Sequence, residues 1–165
     1  MIIKEIHTED ADKLLMLIKE VESHSEFMLM APGERQTSIE QQRKMIERIQ
    51  KQKNAVILTA EDDGRLIGYL MAIGGTVKRT RHSAYLVIGI LKDYRGQGAG
   101  TALFKKVEEW ARRCGISRLE LTAVTRNIPG IVLYQKSGFE IEGTKRNSLS
   151  INGELYNEYY MSKLL

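Results

Sequence analysis

Cysteine occurs once in these 165 residues, tryptophan once, proline twice and phenylalanine three times. One cysteine excludes an internal disulfide and any multi-cysteine metal site, so neither staple nor metal is expected. Cys114 falls on the apolar stripe of a predicted helix, where a free thiol is expected to pack as a small hydrophobe. No apolar run approaches the roughly 18 to 20 residues of a membrane span. The opening Met1-Ile2-Ile3-Lys4-Glu5 lacks the basic and apolar regions of a secretory leader, making the cytoplasm the expected location. Aromatics are few and are not interleaved with basic residues, which argues against a nucleic-acid platform. Net charge is +4, and the one dense cationic run is Lys78-Arg79-Thr80-Arg81-His82, expected at a solvated hairpin tip. No linker, repeat or low-complexity stretch interrupts the chain, so a single domain over 1–165 is expected.

Periodicity supplies the elements. Ile2 to Ile6 reads as a strand, and Asp10 to Val21 as a helix with Leu14, Leu17, Ile18 and Val21 at helical spacing. Ser23 to Thr37 is irregular. Ser38, with Gln41 three residues on, opens a second helix through a capping box. Three strands follow over Ala55–Ala60, Leu66–Ile73 and Ser83–Ile90, the first two joined by Asp62-Asp63-Gly64-Arg65; the third, rich in Val and Ile, is expected to be central. A helix from Gly98 to Cys114 stops at Gly115, and Ile116 to Val124 forms another strand. Asn127 caps a short helix ending at Gly138. Phe139–Arg146 and Glu154–Met161 close the chain as a hairpin turning at Asn152-Gly153. The order β-α-α-β-β-β-α-β-α-β-β implies an α/β (α+β) fold, a mixed sheet with helices on its faces.

Between the strand ending at Ile90 and the helix after it lies Arg95-Gly96-Gln97-Gly98-Ala99-Gly100. A glycine-rich loop opening a helix exposes consecutive backbone N–H groups at the positive end of the helix dipole, which suits phosphate oxygens. Arg95 adds a charge-assisted contact. A Walker A loop needs Lys and Ser/Thr after its last glycine, whereas this loop continues Gly100-Thr101-Ala102. A dinucleotide fingerprint starting at Gly96 fails at Thr101.

The pattern Arg/Gln-x-x-Gly-x-Gly/Ala is met by Arg95, Gly98 and Gly100, and it resembles the pyrophosphate motif of the GNAT (Gcn5-related) N-acetyltransferases. A second block agrees: Asn127, then Leu133-Tyr134-Gln135-Lys136-Ser137-Gly138-Phe139. The resemblance spans the chain, most specifically from Ser83 to Phe139, and its tail resembles the ribosomal-protein and small-amine branch. It implies a sheet of about seven strands with about four helices, and acetyl-CoA as co-substrate held by Arg95 through Gly100, including Gln97 and Ala99. Asn127 and Tyr134 would line the pantetheine arm and thiol. A backbone N–H among Ile88, Ile90 and Leu91 would polarise the thioester carbonyl, and Tyr134 would protonate the departing sulfur. A homodimer is common in the family.

The implied reaction is acetyl transfer to a primary amine, within a ternary complex. A lysine-like amine with pKa near 10.4 is mostly unreactive ammonium at neutral pH, so a base or an already neutral amine is needed. Several family members carry a carboxylate where this chain has Thr122. Glu120, His82 and a water remain as candidates. By the same resemblance the acceptor, a small amine or peptide, would lie near Glu22, Glu26, Phe27, Met28, Met30, Asn152 and Tyr156. The alternative is a non-catalytic acyl-CoA sensor on the same fold.

Overall fold

The computed structural model describes residues 1–165. In chain order it holds β1 (Ile2–Glu5), α1 (Ala11–Ser23), α2 (Ile39–Lys51), β2 (Ala55–Asp62), β3 (Arg65–Gly74), β4 (Ser83–Ile90), α3 (Ala99–Arg113), β5 (Arg118–Val124), α4 (Ile128–Lys136), β6 (Glu140–Ile151) and β7 (Glu154–Leu164). Short 3₁₀ turns at Thr8–Asp10 and Lys92–Tyr94 add to the expected order. The seven strands form one sheet in the order β1-β2-β3-β4-β5-β7-β6, with β4 at its centre, as its apolar composition implied.

Local chemistry accounts for the turns. Asp63 and Gly64 take φ of 47° and 79°, and Asn152 and Gly153 take 52° and 80°, the paired left-handed angles of a hairpin turn whose twist matches its strands. Ser38 and Gln41 form the full capping box at the start of α2. Gly115, at φ 74°, lets the Ile116 N–H reach back to Ala111 O at 2.9 Å and end α3. The Lys78–His82 run lies in the exposed β3–β4 connection, as expected.

Two expectations fail. α3 ends at Arg113, so Cys114 is its C-cap and is exposed; the apolar stripe ends at Ala111, and Cys114 does not pack in the core. β6 runs on to Ile151 because register shifts between Lys145 and Leu149, with Asn147 at φ 51°, absorb the irregularity where the sequence pattern breaks.

Side-chain placement separates the two faces. A Cβ on Gly68 would touch Leu103 of α3, whereas Gly89 lies against the Tyr69 ring, on the side of α1. α1 and α2 therefore cover one face over β2 and β3, and α3 covers the other. β2 and β3 are buried on both faces, while Tyr85 and Tyr160 on the α1/α2 face of β4 and β7 stay exposed. α4 joins the α3 side, where Phe104 meets Tyr134 edge-on at 5.8 Å and Phe139 at 5.3 Å.

Candidate active site

The parallel pairing of β4 with β5 covers only Ser83–Tyr85 against Arg118–Glu120. Beyond those pairs the two strands part. On its other edge β4 stays paired to β3 through Ile90, with Gly75 N–H donating to Ser83 O and Leu91 N–H to Ile67 O. Odd-numbered residues of β4 thus turn their peptide groups to β3. Alternation gives the Leu86 N–H to the last pair with β5, at Glu120, and directs those of Ile88 and Ile90 into the splay. The N–H groups of Ile88 and Ile90 therefore have no strand partner on that side. Leu91 differs: its N–H is already bonded to Ile67 O at 2.9 Å, and it drops out as a donor.

At the end of β4 the chain turns through Lys92–Tyr94 into the glycine loop. Gly96 and Gly98 take φ of 73° and 91°, angles that a Cβ disfavours, and nothing lies within 4 Å of where either Cβ would project. Gly98 is the N-cap of α3 and supplies no side-chain cap. The first helical bond is Ala102 N–H to Gly98 O at 3.0 Å, so the amides of Ala99, Gly100 and Thr101 remain outward-facing donors. Gln97 Nε2 donates to Asp93 O at 2.8 Å and braces the loop. Arg95 is exposed; its Nε donates to Ile90 O at 3.3 Å and its Nη2 to His24 O at 3.5 Å, which sets its guanidinium at the mouth of the splay. Gly100 answers to packing: a Cβ there would fall 2.6 Å from Leu133 Cδ2.

Asn127 follows β5 and accepts a hydrogen bond from Gly130 N–H at 3.2 Å as N-cap of α4. Gly130 is needed for this fold-back, since its Cβ would lie 2.5 Å from Asn127 Nδ2. About two turns after this cap α4 presents Tyr134 on the α3 side of the splay. Its phenol makes no hydrogen bond within the chain. Burial, with the phenol of Tyr85 adding to it, pushes the Tyr134 hydroxyl up to about 12. Tyr85 stands on the opposite face, where its hydroxyl meets Thr122 Oγ1 at 3.0 Å.

The candidate bases fare less well. At about 3.3 Å per residue, His82 stands about 20 Å along the strand from Ile88. Glu120 is in register with Tyr85, about 10 Å short of Ile88 by the same rise, and is paired with Arg118 Nε at 2.9 Å. Arg118 also grips Glu142, at 2.6 Å from Nη1, which holds the Glu142 carboxyl down to about 2. These groups line a cavity of about 270 Å³ at the foot of the splay, with Tyr85, Thr122 and Tyr160.

The acceptor region is only partly as expected. Glu22 is 3 % exposed and held bidentately by Arg35, Nε to Oε1 at 2.9 Å and Nη2 to Oε2 at 2.8 Å, so it is not free for a substrate cation. Phe27 does reach over the sheet, edge-on to Tyr156 at 6.2 Å, and Arg126 lies 4.6 Å over the same ring. Met28 and Met30 are half-buried beside it, Glu26 is exposed, and Asn152 sits in the distant hairpin turn. Glu158, which no motif marked, lies on this face between Tyr156 and Tyr160. Strand alternation in β7 was the signal available for it.

The model of the acetyltransferase (GNAT) family matches residues 20–139. The L-amino acid N-acetyltransferase AaaT of Escherichia coli is 34% identical over 111 residues, covering 65% of this chain and 67% of that protein. An acetyltransferase of the GNAT family from Streptococcus pneumoniae superposes with a TM-score of 0.96 at 31% identity, covering 99% of both chains. A phosphinothricin acetyltransferase from Sinorhizobium meliloti, solved in complex with acetyl-CoA, shares the fold with a TM-score of 0.86 at 18% identity, over 99% of this chain and 88% of that one.

Proposed function

This chain belongs to the GNAT acetyltransferase family, and from that premise we propose that it is an enzyme moving the acetyl group of acetyl-CoA onto a primary amine, directly and within a ternary complex. The observation that carries this reading is the splay. It leaves the Ile88 and Ile90 N–H groups unpaired in the same opening that the Tyr134 phenol overlooks and the capless amides of α3 close.

An extended pantetheine arm fits between β4 and β5 as a strand would, and the diphosphate fits the loop from Arg95 to Gly100. The relative from Sinorhizobium meliloti that binds acetyl-CoA has the same fold, which supports that choice of donor. An N–H of Ile88 or Ile90, fixed in a ladder rather than in water, stabilises charge developing on the thioester oxygen without reorganisation. Tyr134, protonated throughout the neutral range, gives its proton to the leaving sulfur. Asn127 holds α4, and with it Tyr134, against the end of β5.

Calorimetry with acetyl-CoA, followed by thiol release with a panel of primary amines and peptides, tests the reading. Binding at 100 times Kd stabilises the fold by about 2.7 kcal/mol, a rise in Tm of about 5 to 11 °C for a chain of this size. Absence of both heat and thermal shift sinks the donor; binding without transfer to any amine leaves the non-catalytic sensor.

A further inference from the structure

The acceptor face carries several carboxylates, and most are spoken for. Glu120 and Glu142 are paired with Arg118, and Glu154 with Arg126. Glu158 differs. It is 9 % exposed, its Oε1 accepts a hydrogen bond from Ser148 Oγ at 2.8 Å, and no lysine, arginine or histidine forms an ion pair with it. Lys145 is in register with it on β6 yet stays exposed and unpaired. Arg126 is engaged with the Tyr156 ring and with Glu154 at 3.4 Å. From α1, Glu22 is neutralised by Arg35; in the connection that follows, Glu26 is exposed. A carboxylate taken this far out of water, without a cation, gives up solvation that one hydroxyl does not replace.

Its position matters as much as its burial. β7 sets Glu158 opposite Val124, four residues beyond Glu120 on β5; four residues beyond Tyr85 on β4 is Gly89, between Ile88 and Ile90. Glu158 is therefore level with the two free donor amides. Glu120 sits at the closed foot of the splay. Alternation along β7 puts Glu158 on the same face as Tyr156 and Tyr160, where Phe27 reaches over from the α1–α2 connection.

We infer that Glu158 receives the ammonium of the acceptor, turns its nitrogen toward the splay and takes its first proton; this rests on the acetyl-transfer reading above. The substrate class is a cationic primary amine whose carbon chain lies along Phe27 and Tyr156. The balance is complete. The ammonium loses one proton to the Glu158 carboxylate, and the neutral nitrogen forms its bond to the thioester carbon. The C–S bond breaks, and the sulfur takes the Tyr134 phenolic proton. The nitrogen's surplus proton restores Tyr134 through solvent, and Glu158 releases its own to bulk water.

Glu158→Gln keeps the shape and an oxygen for Ser148, so a purely structural role survives it. The full-length variant is assayed with acetyl-CoA and two probes, butylamine and a short peptide amide with a free N-terminus. The expected result is a loss of kcat/KM of about 100-fold or more at pH 7, shrinking toward pH 9 as more acceptor arrives neutral, with Tm and the heat of acetyl-CoA binding unchanged. Transfer by the variant at the wild-type rate and with the wild-type pH profile overturns the assignment alone. Wild-type protein that binds acetyl-CoA and acetylates other amines of the panel but neither probe overturns the assignment alone; no transfer to any amine of the panel overturns the transfer reading with it. Should Glu158→Gln fail to fold, Glu158→Asp replaces it: a raised amine KM at constant acetyl-CoA heat supports the role, and an unchanged KM refutes it.

Discussion

Gly100 offers a quantitative check on how the loop and α4 are joined. It sits in the first turn of α3 with ordinary helical angles, so Gly100→Ala meets no backbone penalty, and helix propensity favours alanine by up to about 1 kcal/mol. The new methyl lands 2.6 Å from Leu133 Cδ2, 3.2 Å from Leu133 Cδ1 and 3.3 Å from Ile90 Cδ1. Overpacking of this kind costs about 1 to 3 kcal/mol. The net loss is then about 0 to 3 kcal/mol, centred near 1 to 2, which lowers Tm by about 2 to 8 °C in a chain of this length. The clash lies with the end of one flexible side chain, so Leu133→Ala, which removes both δ carbons, relieves it. A double-mutant cycle by urea unfolding should return a favourable coupling of about 0.5 to 3 kcal/mol. Gly98→Ala serves as the control: its φ of 91° carries a conformational penalty, its Cβ meets nothing within 4 Å, and Leu133→Ala should not rescue it. Additivity of Gly100→Ala with Leu133→Ala to within about 0.3 to 0.5 kcal/mol would refute the packing account.

Tyr134→Phe should lower kcat by about 10² to 10⁴-fold while the heat of acetyl-CoA binding holds; an unchanged kcat removes the acid role. The same phenol has a stability signature. Its hydroxyl is pushed up to about 12 in the fold, against about 10 unfolded. Its contribution is thus fully present below pH 10 and lost as pH climbs to 12, and the variant should shallow that alkaline decline in urea midpoints. Tyr69, raised by burial, and Lys4, raised by its hydrogen bond to Glu61, add to the decline in the same direction. Glu142 works in the opposite sense. Arg118 and Ser162 hold its carboxyl at about 2 instead of 4.5, so its stabilisation is present above pH 4.5 and lost as pH falls to 2. Glu142→Gln should flatten the acid limb over that window, and an unaltered limb would show that the pair contributes nothing to folding.

Much of the fold was legible because local rules and global packing agree. The two hairpin turns, the capping box of α2 and the stop at Gly115 are written in short-range chemistry, and the order of elements followed from periodicity. Cys114 misled because periodicity does not say where a helix ends, and the left-handed Gly115 ends it one position later. In the site, the loop and Tyr134 were readable as contiguous motifs. Leu91 was not separable from Ile88 and Ile90, because peptide orientation depends on pairing with β3. Glu22 looked available since its partner, Arg35, lies in an irregular stretch with no period to place it. Glu158 stayed hidden for a related reason: its meaning comes from register across β5, and from a bulge that carries Ser148 to it.

The short junction between the middle strands has a mechanical consequence. Past Tyr85 and Glu120, no peptide ladder joins the segments before and after Gly115; they are held by apolar interdigitation, Leu133 under Gly100 and Phe104 between Tyr134 and Phe139, with the Tyr85–Thr122 hydrogen bond and the Glu108–Lys163 pair as polar links. Contacts of this type tolerate sliding better than a ladder of peptide bonds does. Deuterium uptake at Ile88 and Ile90 should accordingly be faster in the bare molecule than with acetyl-CoA bound, since a thioester arm laid along β4 would stitch the seam shut.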